Sequence, residues 1–363
     1  MGQNDDDEML RAGKISDPLD GTVPWDEEQK APAPKPDPFC IKSFLDHGLN
    51  PADEAERRQW LLRGSDGKGV FPLGKSGLLV AGGGVGKTMA LVQLAIAVAL
   101  GEFWLGSFKA TQGKVLLCLG EEDLDEVHRR LHNACGLLEL DRDKATLVAE
   151  RIFPLPLAGI PCALLDEKTG KDSDVLTTLK AAMKEHKFSL VILDPLSRWA
   201  GTDVEVDNGK ATRFVQAVES IAEGLETKPS VLVAHHSSKS SVGAGEANSR
   251  GSSAIVDGFR WVANLDDATD LPLRGARLTN TKSNYSMKFE PIYLVRVDQF
   301  NGALRVASGT EAETLKTAPI KAKARAEIAK NKAIKEAKEM ENGLIAEENA
   351  KKNQPVCSIR DLK

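Results

Sequence analysis

The chain has 363 residues, of which 41% are hydrophobic and 28% are charged, and its net charge is −5. These values are typical of a globular protein with one large domain or two ordinary ones. The longest apolar run, residues 89–100, is shorter than the about 20 residues that a membrane span needs. The start is acidic without an apolar leader, and the five cysteines lie far apart. We therefore expect a cytoplasmic protein without a disulfide framework or zinc site.

Charge and composition divide the chain into three parts. Residues 1–40 carry ten acidic and four basic side chains, so the rest of the chain has a net charge of only about +1. The first part is also rich in proline and poor in apolar residues, which predicts a disordered tail over 1–39. Residues 40–308 are predicted to form the folded domain, and 309–363 a charged extension.

Predicted strands and helices alternate through most of the folded domain. The strands lie at 78–81, 115–119, 190–193 and 230–234, and the helices at 88–100, 124–135, 174–186 and 209–225. This alternation predicts an α/β fold with a mainly parallel central sheet and helices on both faces. After Phe259 only strands are predicted, at 260–264, 274–281, 291–297 and 303–306. They would extend the sheet with antiparallel hairpins.

The strongest motif joins the first predicted strand to the first predicted helix. It reads Ala-Gly-Gly-Gly-Val-Gly-Lys-Thr from Ala81 to Thr88, the pattern of a P-loop with alanine in place of the first glycine. Backbone N–H groups and the helix N-terminus would hold the phosphates of ATP. Lys87 would reach the β- and γ-phosphates, and the Thr88 hydroxyl would bind Mg²⁺. The predicted ATP-binding residues are Gly82, Gly83, Gly84, Val85, Gly86, Lys87, Thr88 and Met89.

Acidic residues follow two other predicted strands. Asp194 ends the apolar run Leu-Val-Ile-Leu-Asp, which fits an aspartate that holds Mg²⁺. Glu121, Glu122 and Asp123 follow the strand at 115–119, which we expect beside the P-loop. One carboxylate would activate the attacking water, and we favour Glu122 because Glu122-Asp123 opens the next helix. The alternative is an acidic helix start that only complements the helix dipole.

Polar residues also follow the strand at 230–234. The adjacent His235 and His236 suggest a pair that reports the γ-phosphate to the next loop, although a structural role is the usual one for histidine. We expect Arg250 to act as an arginine finger in a neighbouring subunit's ATP site, or else to form a surface salt bridge. Lys282, with Tyr285, is a weaker alternative, and Lys282 could instead cap a strand end.

The segments after Asp194 and after the histidine pair are candidates for DNA contact. Trp199 would stack on a base, or would belong to the core or an interface. Lys239 begins a loop rich in glycine and serine, which would face the same strand of DNA.

The C-terminal extension is rich in alanine, lysine and glutamate, and we predict a helix beginning after Pro319. Residues 316–338 contain eight basic and two acidic residues. They would either contact nucleic-acid phosphates or remain a solvated helix.

These motifs together resemble those of the RepA-type hexameric replicative helicases of IncQ plasmids, and of the wider group of RecA-like ATPases. The resemblance covers about residues 55–308 and is most specific from His235-His-Ser-Ser-Lys to Ser249-Arg-Gly-Ser-Ser. It implies a RecA-like core, a homo-hexameric ring, and single-stranded DNA in the ring's channel. It also implies roles in ATP and Mg²⁺ binding for Lys87, Thr88 and Asp194, in catalysis for Glu122, in sensing for His236 and in trans for Arg250. The tails depart from the compact family pattern and suggest replication partner proteins.

Two functions follow from these observations. The first is an ATP-driven motor on single-stranded DNA, most simply a replicative helicase. The second is a nucleotide-gated DNA-binding regulatory or repair/recombination ATPase that does not unwind DNA. The nearly neutral charge of residues 41–363 is less typical of a DNA motor, although a ring needs only local positive charge in its channel.

Overall fold

The computed structural model describes residues 40–223, 227–236 and 253–352. Contacts within the chain divide it into two units, residues 1–57 and 58–363. In the first unit, the described residues include a 3-10 turn, Leu45–His47, where the Asp46 carboxylate accepts hydrogen bonds from the Ser43 N–H (3.1 Å) and hydroxyl (2.7 Å). All described strands and α-helices belong to the second unit. The predicted tail at 1–39 lies outside the described residues.

The second unit begins with a small β-rich region and continues as alternating strands and helices. The strands are β1 (Trp60–Gly64), β2 (Gly69–Pro72), β3 (Ser76–Ala81), β4 (Phe103–Trp104), β5 (Phe108–Ala110), β6 (Lys114–Leu119), β7 (Ile152–Pro156), β8 (Phe188–Asp194), β9 (Ser230–His236), β10 (Trp261–Asp267), β11 (Gly275–Ser283), β12 (Ile292–Val297) and β13 (Ala303–Val306). The helices are α1 (Lys87–Leu100), α2 (Leu124–Leu137), α3 (Arg142–Arg151), α4 (Asp174–Glu185), α5 (Leu196–Trp199), α6 (Asn208–Glu223), α7 (Ser253–Gly258) and α8 (Gly309–Lys352).

The main sheet of the described residues has nine strands in the order β13-β12-β11-β10-β3-β9-β8-β6-β7. The six strands from β10 to β7 in this order run parallel, whereas β11, β12 and β13 follow β10 as antiparallel hairpins. This arrangement confirms the predicted α/β fold. A smaller antiparallel sheet has the order β2-β1-β5-β4.

The main sheet separates two layers of buried side chains. Neighbouring residues in β3 point to opposite faces, so that Leu79 packs with one layer and Val80 with the other. The first layer includes α1, α2 and α3, and the second includes α4, α5, α6 and α7. Helix α1 is buried on all sides from Met89 to Ala99, because α2, α3 and the small sheet cover the faces that the main sheet leaves open. This explains why its sequence is apolar all round.

The last helix differs from its predicted bounds. We expected a helix after Pro319, but α8 begins at Gly309 and continues through Pro319. The reason is a reciprocal cap at its start: the Glu311 N–H donates to the Ser308 hydroxyl (3.4 Å), and the Ser308 N–H donates to the Glu311 carboxylate (2.8 Å).

No helix in the described ranges is long and apolar enough to cross a membrane.

Candidate functional site

The loop between β3 and α1 has the backbone conformation that its glycines permit. Gly84 and Gly86 have φ values of +77° and +110°, in the region that residues with a Cβ atom rarely adopt. No atom lies within 4 Å of a Cβ built on Gly84, so the glycine there is required by the backbone and not by crowding. Ala81, the departure from the usual motif, is the buried last residue of β3 and lies before the loop.

Three side chains meet at the start of α1. The Lys87 ammonium forms an ion pair with Asp194, and the Thr88 hydroxyl donates to the other oxygen of the same carboxylate (2.8 Å). The side chains of Lys87 and Asp194 are only 6% and 5% exposed, respectively. Asp194 ends β8, which is separated from β3 by β9, so the carboxylate reaches across one strand. The structure thus brings together the lysine, threonine and aspartate that we expected to bind phosphate and Mg²⁺.

The two histidines at the end of β9 have different surroundings. His235 is buried, and its Nδ1 lies 3.8 Å from a carboxylate oxygen of Glu205. His236 pairs in register with Ala81 of β3 and lines the cleft at the P-loop. Burial and the positive charge of Lys87 lower the pKa of His236, and the negative charges of Asp194 and Glu121 oppose this effect. The net effect favours the neutral form of the His236 imidazole beside Lys87.

The acidic segment after β6 lies farther from the P-loop than we expected. Strands β8 and β9 stand between β6 and β3, so the segment is not directly beside the P-loop. Glu122 accepts a hydrogen bond from Arg130 (2.6 Å), whereas Glu121 lies 3.8 Å from Arg198. Asp123 caps α2 by accepting from the Glu126 N–H (2.7 Å). The three acids thus differ in their partners, and Asp123 is the one that caps α2.

A cleft of about 220 Å³ opens at the P-loop, and basic side chains from distant parts of the chain line it. Arg130 comes from α2 and Arg296 from β12, and the Arg296 guanidinium donates to the carbonyl oxygen of Gly84. Burial and the neighbouring Arg274 lower the pKa of Arg296. The remaining lining residues are Gly82, Gly84, Gly86, Lys87, Thr88, Met89, His236, Asn301 and Gly302. Three cationic side chains converge there, which suits a polyanion.

Sequence reasoning missed Arg130 and Arg296 as site residues. Arg130 was visible only as part of the His-Arg-Arg-Leu segment of α2, and Arg296 is one polar residue in an alternating strand. Arg130 reaches the cleft because α2 packs against α1, and Arg296 reaches it because β12 lies on the P-loop side of the sheet. No local motif in the sequence signals either contact.

The expected DNA contact of Trp199 is wrong for this structure. Its side chain is fully buried in the second layer, so the indole has no face free to stack on a base. The core alternative describes its position.

The other candidates in this part of the chain are only partly described. Lys239 and Arg250 lie outside the described residues. Lys282 donates to the carbonyl oxygens of Asp257 (2.5 Å) and Val256 (3.4 Å) at the end of α7, and Arg58 lies over the Tyr285 ring. In this structure the Lys282 ammonium therefore caps a helix of its own chain.

Comparison with known protein families agrees with this geometry. The chain matches the AAA domain family over residues 35–242, which is more than half of its length. The matched range contains the P-loop, Glu121 and Glu122, Asp194 and the histidine pair. The match indicates a P-loop ATPase and does not single out the replicative helicases among them. The chain therefore belongs to the AAA domain family of P-loop ATPases.

Proposed function

We propose that the cleft binds ATP with Mg²⁺ and hydrolyses its terminal phosphate. The buried contact of Lys87 and Thr88 with Asp194 carries this proposal, because an ammonium group, a hydroxyl and a carboxylate meet at the N-terminus of α1, where a phosphate and Mg²⁺ would find a cation and oxygen donors. Oxygen donors fit Mg²⁺, which keeps several waters and needs few protein ligands. When bound, the ion would neutralise charge on the phosphates. Arg130 and Arg296 would add positive charge at the rim of the cleft.

The general base is proposed to be one of the two glutamates after β6. Glu122 was the expected residue, but its carboxylate is engaged by Arg130. Glu121 is half-exposed, and its charge acts on His236, which lines the cleft. These contacts favour Glu121 as the base that takes a proton from water, with Glu122 as the residue that positions Arg130.

The ATPase is proposed to drive a homo-hexameric motor along single-stranded DNA, as a replicative helicase does. The support is the motif resemblance from His235 to Ser253, together with the positions of Asp194 and His236 at the ends of β8 and β9. The chain that follows each of these residues therefore starts at the proposed phosphate site, so a change at the phosphates has a short route to it. Lys239 is proposed to contact the strand.

A regulatory or repair ATPase that binds DNA without unwinding it is the second proposal. The charge of about +1 over residues 41–363 favours it, because a nearly neutral body gives little general attraction for DNA. Unwinding of a forked DNA by the wild-type chain and by Lys87→Ala separates the two. Unwinding that the variant loses supports the motor, and DNA-stimulated ATP hydrolysis without strand separation supports the regulator.

Arg250 is proposed to complete the site of a neighbouring copy. A mixture of Arg250→Ala and Lys87→Ala chains forms some interfaces with a wild-type Lys87 on one side and a wild-type Arg250 on the other. We expect the mixture to hydrolyse ATP faster than either variant alone. A mixture no faster than the sum of its parts would exclude the role in trans.

A further inference from the structure

Charge is strongly segregated along α8. Residues 316–338 carry eight basic and two acidic side chains, a net charge of +6. The parts of α8 before and after them, 309–315 and 339–352, have a net charge of −2 each. A helix stabilised only by its own ion pairs would intersperse the two signs. The positive charge of α8 is instead concentrated in a segment about 34 Å long, at 1.5 Å per residue.

This basic segment has little packing of its own. Its described side chains after Pro319 are exposed, including Ile320 at 71% and Ile328 at 68%. The exposed apolar residues at 320, 328, 334 and 340 are eight, six and six positions apart, which is neither a heptad seam nor an apolar face. The pattern therefore favours neither a coiled coil nor insertion into a lipid surface.

The start of α8 is firmly attached to the rest of the second unit. The Arg305 guanidinium donates two hydrogen bonds to Glu311 (2.7 and 2.8 Å), and with the Ser308 N–H it lowers the pKa of Glu311 to about 2. Leu315 is fully buried beside Val295 of β12. Lys321 donates to Asp270 (2.6 Å). The basic segment thus leaves the domain from a fixed base.

That base is continuous with the P-loop. The buried Gln93 side chain of α1 donates to the Leu304 carbonyl oxygen (2.8 Å) and accepts from the Leu304 N–H (2.9 Å). On β12, Arg296 contacts Gly84 one residue after Val295, which packs with Leu315 of α8. Strands β12 and β13 therefore hold α8 and one wall of the nucleotide cleft together.

We propose that residues 316–338 of α8, here called the basic arm, bind the phosphate backbone of single-stranded DNA. The match is one of charge: a net +6 over residues 316–338, on a helix whose described side chains after Pro319 are exposed, suits a polyanion, and release of counterions would drive the binding. No side chain of the arm needs to read bases. The arm is separate from the cleft, and its binding does not require the proposed motor activity.

A charge-neutral arm tests this proposal. In the full chain, Lys323, Lys330, Lys335 and Lys338 are changed to glutamine, which has a similar helix propensity. The matched control changes four exposed lysines outside the arm to glutamine: Lys68, Lys109, Lys144 and Lys228. Both variants lose the same total charge. Binding to labelled oligothymidylate is measured at several salt concentrations, together with basal ATP hydrolysis and sedimentation.

We expect the arm variant to bind the oligothymidylate at least about tenfold more weakly at low salt, with basal ATP hydrolysis unchanged. The slope of log affinity against log salt should fall by about 0.7 for each lost phosphate contact, up to about 3. The control should stay within about twofold of wild type. Equal affinities and slopes for the two variants would overturn the proposal. It would also be overturned if the arm variant kept its affinity for oligothymidylate and lost only self-association in sedimentation or binding to anionic vesicles, which is measured in parallel. If only the arm variant loses DNA binding, and DNA does not stimulate ATP hydrolysis by the wild type, the proposal for the basic arm is supported and the proposed motor function is contradicted.

Discussion

Replacing Asp194 with asparagine tests the electrostatics of the P-loop centre. Asparagine keeps the shape and an acceptor for the Thr88 hydroxyl, but it removes the charge that balances Lys87. Both side chains of the ion pair are at least nine-tenths buried, so the variant leaves a buried ammonium without a counter-charge. Breaking a buried pair in this way costs about 3–5 kcal/mol. At about 2–4 °C per kcal/mol for a domain of this size, we expect the Tm to fall on the order of 10 °C.

Nucleotide should partly restore the stability of this variant. A triphosphate replaces the negative counter-charge that the substitution removes from beside Lys87. ATP without Mg²⁺ should therefore raise the Tm of Asp194→Asn by more than it raises the Tm of the wild type. Differential scanning fluorimetry measures both effects. The control is Asp172→Asn, which removes an exposed partner of Lys180 and should cost only about 0–1 kcal/mol. If Asp194→Asn melts within about 2 °C of the wild type, the reasoning about the buried pair is wrong.

Two further predictions concern the cleft. Glu121→Gln should lower kcat with little change in KM for ATP, whereas Glu122→Gln should release Arg130 and mainly raise KM; steady-state kinetics showing the reverse pattern would return the general-base role to Glu122. Burial and Lys87 lower the pKa of His236 in the folded chain. As the pH falls, the unfolded chain therefore binds a proton at this histidine at about pH 6.5, and the folded chain binds it only at a lower pH. Folding stability should therefore fall from pH 7 to pH 5, and Tm measurements should show a smaller fall for His236→Gln; equal falls would contradict the assignment.

Local patterns were enough to predict the centre of the site. The glycine loop, Asp194 and His236 each lie at the end of a strand whose apolar residues mark it in the sequence. The carboxyl ends of parallel strands lie at one edge of a sheet, so the sequence predicts that edge as the site, and β9 and β8 are the two strands next to β3 on one side. The fold class followed from the same alternation of strands and helices.

Features that depend on distant parts of the chain were not predictable in this way. The strand order places β6 three positions from β3, and Arg296 reaches the P-loop from β12. Neither fact is encoded in a short motif. Trp199 follows Asp194 by five residues, but its burial depends on the packing of α5 against β8 and β9.

The start of α8 has a local signal. Ser308 and Glu311 have the spacing of a capping box, which marks the beginning of the helix ten residues before Pro319. A helix anchored by this cap and by the buried Leu315 continues through the proline, so Pro319 does not mark its start.

ATP cleavage in the cleft around Lys87 can be measured as the rate of phosphate release from ATP with Mg²⁺ by the purified wild-type chain and by Lys87→Ala. Circular dichroism verifies that the variant is folded. We expect hydrolysis by the wild type and loss of nearly all of it in the folded variant. A folded variant that hydrolyses ATP as fast as the wild type, or a wild type that releases no phosphate with or without DNA, would contradict it.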